Sequence, residues 1–153
     1  MQKINPFLWF NGRAAEAAEF YVSIFKNSKI INISDLENTG RNRDQTVKSV
    51  TFELDGQRFH ALDGGPEFTF SPAISLFVNC ETQEEVDHFW EKLSEGGETI
   101  QCGWLTDKFG VTWQIVPTVL GELLSSEDEA RAARVMQAML GMVKLDIKAL
   151  REA

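Results

Sequence analysis

The chain carries one strand-helix-strand-strand-strand pattern twice, and this duplication restricts its fold more than any other feature. Both copies end in a hairpin of the same plan, in which a polar side chain follows the glycine of the turn. Gly56 leads to His60 in the first hairpin, and Gly110 leads to Gln114 in the second. Because each copy has one apolar sheet face and one helix to cover it, the sequence predicts an α+β fold of two βαβββ modules.

The chain length fits one domain built from these modules. The first module is predicted to cover residues 4–63 and the second residues 72–117, followed by a helical tail at residues 118–153. A chain of 153 residues, with 43% hydrophobic and 25% charged residues, has the size of a single compact domain, residues 1–153. Joining the modules edge to edge predicts a curved mixed sheet around a cavity, with the tail as a C-terminal helical extension.

The first module begins with an apolar, aromatic run at residues 4–10, which predicts a buried strand. Apolar residues at helical spacing predict a helix at residues 13–26, with Asn11 as its N-cap. A β-branched run predicts a strand at residues 29–34. The polar, aperiodic residues 35–46 predict an exposed loop.

The first hairpin turns at Asp55-Gly56, a pair that favours tight turns with positive φ. Counting back from this turn pairs Thr51 with His60 and separates an apolar face from a polar one. The predicted apolar face comprises Val50, Phe52, Leu54, Phe59 and Ala61. The predicted polar face comprises Ser49, Thr51, Glu53, Arg58 and His60.

The second module repeats the first, with strands predicted at residues 73–80, 98–102, 104–106 and 111–116. Its helix, residues 83–95, begins with the capping box Thr82 to Glu85. In the tail, a second capping box starts at Ser126 and opens a helix that buries its apolar stripe on the protein itself or on a partner. The stripe comprises Ala130, Ala133, Met136, Met139 and Leu140.

The composition argues against several classes of function. The formal net charge is −8, with 15 basic residues scattered among 23 acidic ones, so nucleic-acid binding is not expected. No apolar run reaches the roughly 18 residues of a membrane span, and the N-terminus lacks a signal-peptide apolar region. The sequence therefore predicts a cytoplasmic protein without a membrane partner. Cys80 and Cys102 fit no metal or redox spacing and are interpreted as reduced structural thiols.

If the hairpins are equivalent, His60 and Gln114 face one cavity and are candidate ligand contacts. His60 either acts as an acid, base or hydrogen-bond donor, or is simply hydrogen-bonded to Thr51 or water. Gln114 either orients a ligand carbonyl or belongs to a sheet hydrogen-bond network. The remaining candidate contacts are Glu53, Arg58, Ser75, Phe77, Phe10 and Trp104, with Leu8 and Leu62 as further lining. Glu53 and Arg58 either anchor a polar substrate or form a plain salt bridge. The apolar lining either suits a flat or aromatic, weakly polar molecule or closes the barrel as core and leaves no pocket.

Several motifs resemble those of a known family. They include Pro6 to Arg13, Leu62 to Pro66, Cys102 to Trp104, Asp107 to Gly110 and Trp113 to Pro117. Together with the repeat, they resemble the PhnB-like branch of the vicinal oxygen chelate (glyoxalase/bleomycin-resistance) superfamily, often labelled 3-demethylubiquinone-9 3-methyltransferase-like. The resemblance extends from about residue 4 to residue 149 and implies a glyoxalase-like domain and a homodimer.

The resemblance also implies where a divalent metal would bind. Superfamily enzymes place metal ligands on the first and last strands of each repeat, which here are Pro6, His60, Ser75 and Gln114. Proline cannot bind a metal and serine is a poor ligand, so only the weak candidates His60 and Gln114 remain, against the three or four ligands such a site needs. No cofactor is therefore expected, with a divalent metal as the alternative.

Three functions follow from these observations. The first is a metal-independent small-molecule binding protein of the glyoxalase/bleomycin-resistance type. The second is a metal-dependent lyase, isomerase or dioxygenase in which another ligand joins His60 and Gln114. The third is a methyltransferase acting on a quinone-like ring, as the family label implies. The sequence lacks the Gly-rich strand-to-helix turn usual for S-adenosylmethionine binding.

Overall fold

Each predicted module forms its own four-stranded mixed sheet with a helix against one face, which confirms the α+β fold. The computed structural model describes residues 2–36 and 47–153. The chain divides into two units, Met1–Phe70 and Ser71–Ala153. Among the described residues, no helix is both long and apolar enough to cross a membrane.

The first unit has the strand order β1-β4-β3-β2, with β1 parallel to β4 and the other pairs antiparallel. Its elements are β1 (Phe7–Phe10), α1 (Ala14–Ile24), β2 (Lys29–Leu36), β3 (Val47–Leu54) and β4 (Gln57–Asp63). The hairpin register is confirmed, because Thr51 lies opposite His60 and Glu53 opposite Arg58.

The helix α1 packs on the apolar face of this sheet. Ala14, Ala17 and Ala18 are fully buried, and alanines let the helix approach the strands closely. Tyr21 is also fully buried, with its ring 6.3 Å from that of Phe52. The predicted apolar face of the hairpin is the core of this unit, because its five residues are all at most 6% exposed.

Two boundaries in the first unit differ from the prediction. The first strand begins at Phe7 rather than residue 4, and β2 continues to Leu36, where an exposed loop was expected. Pairing of Asp35 with Lys48 and of Leu36 with Val47 extends this strand. The rest of the predicted loop, residues 37–46, lies outside the described residues.

The N-cap of α1 was also predicted wrongly. The helix begins after Arg13, whose side chain makes no capping bond. Instead, the backbone N–H of Ala14 donates to Oδ1 of Asp63 at 2.8 Å. A carboxylate from the end of β4 therefore satisfies one of the free N–H groups at this helix end, which Asn11 was expected to do.

The second unit repeats the topology of the first, with the order β5-β8-β7-β6 and β5 parallel to β8. Its elements are β5 (Leu76–Cys80), α2 (Gln83–Ser94), β6 (Glu98–Thr99), β7 (Trp104–Thr106) and β8 (Thr112–Pro117). The predicted cap of α2 is confirmed, because Oγ1 of Thr82 accepts from the backbone N–H of Glu85 at 3.2 Å. The strand expected at residues 98–102 ends at Thr99.

The tail forms three helices that pack on the second unit. They are α3 (Thr118–Leu124), α4 (Glu129–Leu140) and α5 (Ile147–Glu152). Their apolar side chains join the end of β8 in one buried cluster, which comprises Val116, Leu120, Val135, Leu145 and Leu150. The tail therefore buries its apolar side on its own chain.

The predicted start and apolar stripe of α4 are wrong. Asp128, not Ser126, caps this helix by accepting from the backbone N–H of Arg131 at 3.1 Å. Val135 is its only fully buried residue, whereas Met136 and Leu140 are 39% and 49% exposed. The face of α4 that packs on the core therefore includes Val135 rather than its neighbour Met136.

Polar contacts also hold the tail against α2. The amide of Gln83 donates to the carbonyl of Leu145 at 3.1 Å and accepts from the N–H of Ile147 at 2.8 Å. Nζ of Lys144 lies 2.8 Å from Oδ1 of Asp87. Hydrogen bonds from Lys144 and Gln83 lower the pKa of Asp87 below its ordinary value.

Candidate functional site

The face of the first sheet that α1 leaves uncovered carries the predicted polar residues. His60 is half-buried there, and its Nδ1 lies 3.3 Å from Oγ1 of Thr51. The ring of Phe7 stacks on the imidazole, with centroids 6.0 Å apart and 23° between the planes. Among the described residues, Nε2 of His60 has no hydrogen-bond partner, so this nitrogen can donate to or accept from a ligand.

Both roles predicted for His60 are therefore compatible with its contacts. The predicted contact with Thr51 is present and engages one ring nitrogen. The other nitrogen remains for chemistry or binding.

Glu53 and Arg58 form the plain cross-strand ion pair, with 3.7 Å between their charged atoms. Their side chains are 25% and 36% exposed, so solvent weakens this pair only in part.

The first strand differs from the expected site. Phe7, rather than Pro6, lies directly beside His60 in the parallel pair of β1 and β4. Pro6 contributes only its carbonyl oxygen, which accepts from the backbone N–H of His60 at 3.0 Å. The face predicted for Leu8 and Phe10 is wrong, because both side chains are buried in the core, where these residues pair with Ala61 and Asp63. Phe10 therefore does not line the His60 face.

The second unit has an equivalent arrangement around Gln114. Phe77 lies beside Gln114 in the parallel pair, as Phe7 lies beside His60, and Trp104 lies opposite it on the antiparallel side. The amide nitrogen of Gln114 donates to Oγ of Ser75 at 2.9 Å. Its Oε1 has no partner within the described ranges and can accept from a ligand. Phe77 is 53% exposed, so an aromatic surface borders this amide.

The donors at these positions do not fit a divalent metal. No cluster of three or more His, Cys, Asp or Glu side chains able to hold a metal occurs in residues 2–36 and 47–153. The register places phenylalanine at the first-strand position of both units, beside one imidazole and one amide. A phenylalanine offers no lone pair, and a Zn, Mn or Fe site requires at least three N, O or S ligands from the protein.

Asp107 begins one of the motifs that suggested the family, but it was not predicted to be a site residue. Asp107 is 3% exposed, and its carboxylate accepts from the N–H groups of Phe109 and Val111 at 2.9 and 3.0 Å. It also accepts from Nε1 of Trp113 at 2.8 Å. The carboxylate thereby fixes the turn that leads into β8 and to Gln114. The signal was an aspartate at the start of a turn, a position where its side chain bonds the following N–H groups.

Both cysteines are free thiols, and Cys80 is fully buried. Burial, with a smaller contribution from the charge of Glu85, raises the pKa of Cys80 from 9.0 to about 12. Because the thiolate is the reactive form, the folded protein is expected to protect this thiol from reagents.

A Cys102→Ser variant tests this protection. Ellman's reagent should leave its Cys80 unreacted in the native state and label it rapidly in urea.

Since the pKa of Cys80 in the folded state lies above that in the unfolded state, stability from this group is fully present below pH 9.0 and is lost as the pH rises towards about 12. Urea unfolding of wild type and Cys80→Ala between pH 8 and 10.5 should show this loss only in the wild type. Rapid labelling of Cys80 in the native Cys102→Ser variant would contradict the assignment of Cys80 as a protected thiol.

Comparisons with known proteins agree with this fold. Residues 2–116 match the family described as 3-demethylubiquinone-9 3-methyltransferase. A PhnB protein from Bacillus cereus is 40% identical, with a TM-score of 0.69, and the match covers 76% of this chain and all of that one. A comparison with curated protein sequences found no match.

More distant structures share the fold alone. The fosfomycin resistance protein FosX from Listeria monocytogenes is 18% identical, with a TM-score of 0.59 over 82% of this chain and 98% of its own. Another FosX structure, in complex with Mn(II) and sulfate, has a TM-score of 0.53 at 18% identity over 74% of this chain and 90% of its own. The family match and the PhnB relative show that the chain belongs to the family described as 3-demethylubiquinone-9 3-methyltransferase, a PhnB-like branch of the vicinal oxygen chelate superfamily.

Proposed function

We propose that this protein binds small organic molecules on the uncovered face of each sheet and needs no divalent metal to do so. His60 supplies the polar contact on the first sheet, and Gln114 supplies it on the second. The observation that carries this proposal is the pair of half-exposed phenylalanines, Phe7 and Phe77, at equivalent positions beside these two residues. Apolar walls with a few polar groups are the usual lining of small-molecule sites.

A metal-dependent reaction is the second candidate. It is favoured by FosX, which has been crystallised with Mn(II). Against it stand the phenylalanines at the first-strand positions, since one imidazole on the first sheet, or one amide on the second, offers too few ligands. The family description also names a methyltransferase, but the described parts of the two units contain no glycine-rich turn between a strand and a helix of the kind that holds S-adenosylmethionine.

Metal analysis and native mass spectrometry of tag-free protein, purified without chelator, separate these candidates. We expect substoichiometric Mn, Zn, Fe and Ni, and a retained organic mass that denaturation releases. Stoichiometric metal would contradict the metal-independent proposal.

Calorimetry with S-adenosylmethionine should show no heat of binding. The same native spectrum gives the subunit count and so checks the predicted homodimer.

Three alanine variants test the assigned contacts. His60→Ala and Gln114→Ala should each weaken retention of the organic molecule on its own sheet about five- to tenfold, since each removes one hydrogen bond worth about 1 kcal/mol. His88→Ala, which changes an exposed histidine on α2, is the matched control and should retain the ligand fully. Equal retention by all three variants would show that His60 and Gln114 do not contact the ligand.

A further inference from the structure

We infer that the ligand held by the first unit is a planar, uncharged aromatic molecule, selected by a strip of rings along β1. This strip, called the aromatic strip below, comprises Phe7, Trp9, His60 and Phe68. The inference rests on the proposed binding function and names the class of ligand. It is supported by the backbone contacts that fix the ring of Trp9 and by the exposure of the rings of Phe7 and Phe68.

Trp9 is held rigidly by the segment that follows β4. A methyl group on Gly64 would lie 2.3 Å from atoms of the indole ring, so only glycine allows the ring to lie against this backbone. Nε1 of Trp9 donates to the carbonyl of Gly65 at 3.0 Å, and the N–H of Gly64 donates to the carbonyl of Phe10 at 2.9 Å. The indole is therefore fixed before a ligand arrives, which reduces the entropy cost of binding.

Phe68 and Phe7 flank this indole and remain open to solvent. The ring of Phe68 meets Trp9 edge-on, with centroids 5.1 Å apart and 78° between the planes. Phe7 lies two residues before Trp9 on the same side of β1 and stacks on His60. Phe68 and Phe7 are 65% and 61% exposed. Aromatic rings gain about 0.5–1.5 kcal/mol from stacked or edge-on contacts with another ring, beyond the burial of area.

The charges beside the strip favour an uncharged ligand. Glu53 and Arg58, the charged residues two positions from Thr51 and His60 on the hairpin, already pair with each other at 3.7 Å. An ionised ligand would lose its hydration without gaining an opposite charge from this pair, which is unfavourable. Nε2 of His60 offers one hydrogen bond. The ligand that fits is thus a flat ring with one neutral polar group.

Two probes with the same carbon skeleton and the same hydroxyl group test this inference. 2-Naphthol is planar and aromatic, whereas decahydro-2-naphthol is saturated and puckered. Calorimetry on the full chain should show that 2-naphthol binds at least about tenfold more tightly, as expected if the rings of the strip stack on it. 2-Naphthalenesulfonate, the anionic analogue, should bind more weakly than 2-naphthol.

Leucine variants identify the strip as the cause. Phe68→Leu and Phe7→Leu should each weaken binding of 2-naphthol about three- to tenfold, the loss of one ring contact, and change binding of decahydro-2-naphthol less than about twofold. Both positions are largely exposed, so these variants should fold. Phe89→Leu makes the same change in α2 of the second unit and should leave both affinities unchanged.

The outcomes separate this inference from the proposed function. Equal affinity for the two naphthols, tighter binding of the sulfonate, or unchanged binding by both strip variants would overturn the aromatic ligand class. An organic mass retained in the native spectrum, with no binding of 2-naphthol, would overturn it as well and leave the proposed function standing. Absence of both the retained mass and probe binding would overturn the two together.

Discussion

Asp107→Ala is expected to lower the free energy of unfolding by about 3–5 kcal/mol, a large part of the ~5–15 kcal/mol that stabilises a typical domain. The substitution leaves the N–H groups of Phe109 and Val111 and the indole N–H of Trp113 without their acceptor. The N–H of Val111 and the indole N–H of Trp113 are buried, so water cannot replace the carboxylate as their acceptor. Urea unfolding followed by circular dichroism measures the loss.

Asp107→Asn separates shape from hydrogen bonding. The asparagine oxygen can still accept from Phe109 and Val111, which both use Oδ1. Its amide nitrogen then faces Nε1 of Trp113, and two donors oppose each other. We expect a loss of about 2 kcal/mol. Adding Trp113→Phe removes the opposing N–H, so the double variant should lose less than the sum of the single variants.

Asp55→Asn is the matched control in the turn of the first hairpin. Asp55 is exposed and has a φ of 48°, a conformation that asparagine adopts readily. Its free energy of unfolding should therefore stay within about 0.5 kcal/mol of the wild type. If Asp107→Asn proved as neutral as Asp55→Asn, the role of Asp107 in fixing the turn before Gln114 would be wrong.

The first hairpin shows where local sequence is sufficient. Asp55 and Gly56 both adopt positive φ, so the turn has the two-residue form that matches the twist of the strands. Such a turn fixes the register of every pair behind it. The contact between Thr51 and His60 was therefore predictable from the sequence, and the structure contains it.

The first strand shows where local sequence is insufficient. Residues 4–10 are apolar at nearly every position, so the pattern contains no alternation from which a face can be read. Only pairing with β4, more than 50 residues later, places Phe7 beside His60 and buries Phe10. The identity of the ring beside the candidate histidine was therefore not available from the strand itself.

The caps of α1 and α4 were predicted wrongly for a similar reason, whereas the local capping box of α2 was predicted correctly. Asp63, which caps α1, is 49 residues from the N–H that it accepts. No local rule joins these positions. At α4 two suitable caps compete, because Oγ of Ser126 accepts from the N–H of Asp128, and Asp128 then caps the helix. The capping-box pattern does not decide which of two neighbouring polar residues begins the helix.

The second unit depends on a glycine within one of the motifs that suggested the family. Cys102 and Gly103 have φ values of 61° and 83°, and their N–H groups donate to the carbonyls of Met142 and Val143, both at 2.8 Å. The carbonyl of Gly103 accepts from the N–H of Ile115 at 2.7 Å. This short segment therefore links β8 to the C-terminal tail.

Gly103→Ala is expected to lower the free energy of unfolding by about 3 kcal/mol or more. A methyl group there would lie 2.8 Å from the carbonyl oxygen of Ile115 and 3.0 Å from Cδ1 of Leu145. The first contact is with backbone, so relief requires a shift that lengthens the bond to Ile115. The positive φ adds roughly 1 kcal/mol of strain for a residue with a side chain. Urea unfolding gives the loss, and limited proteolysis should cleave the tail of the variant sooner.

Gly121→Ala provides the opposite sign with the same chemical change. Gly121 lies in the exposed part of α3, and a methyl group there would have nothing within 4 Å. Alanine is favoured over glycine in helices by about 1 kcal/mol, so this variant should be as stable as the wild type or more stable. A tolerated alanine at position 103 would mean that the tail is not held through this glycine. If both variants were destabilised, the loss at position 103 could not be attributed to the close approach of Gly103 to Ile115 and Leu145.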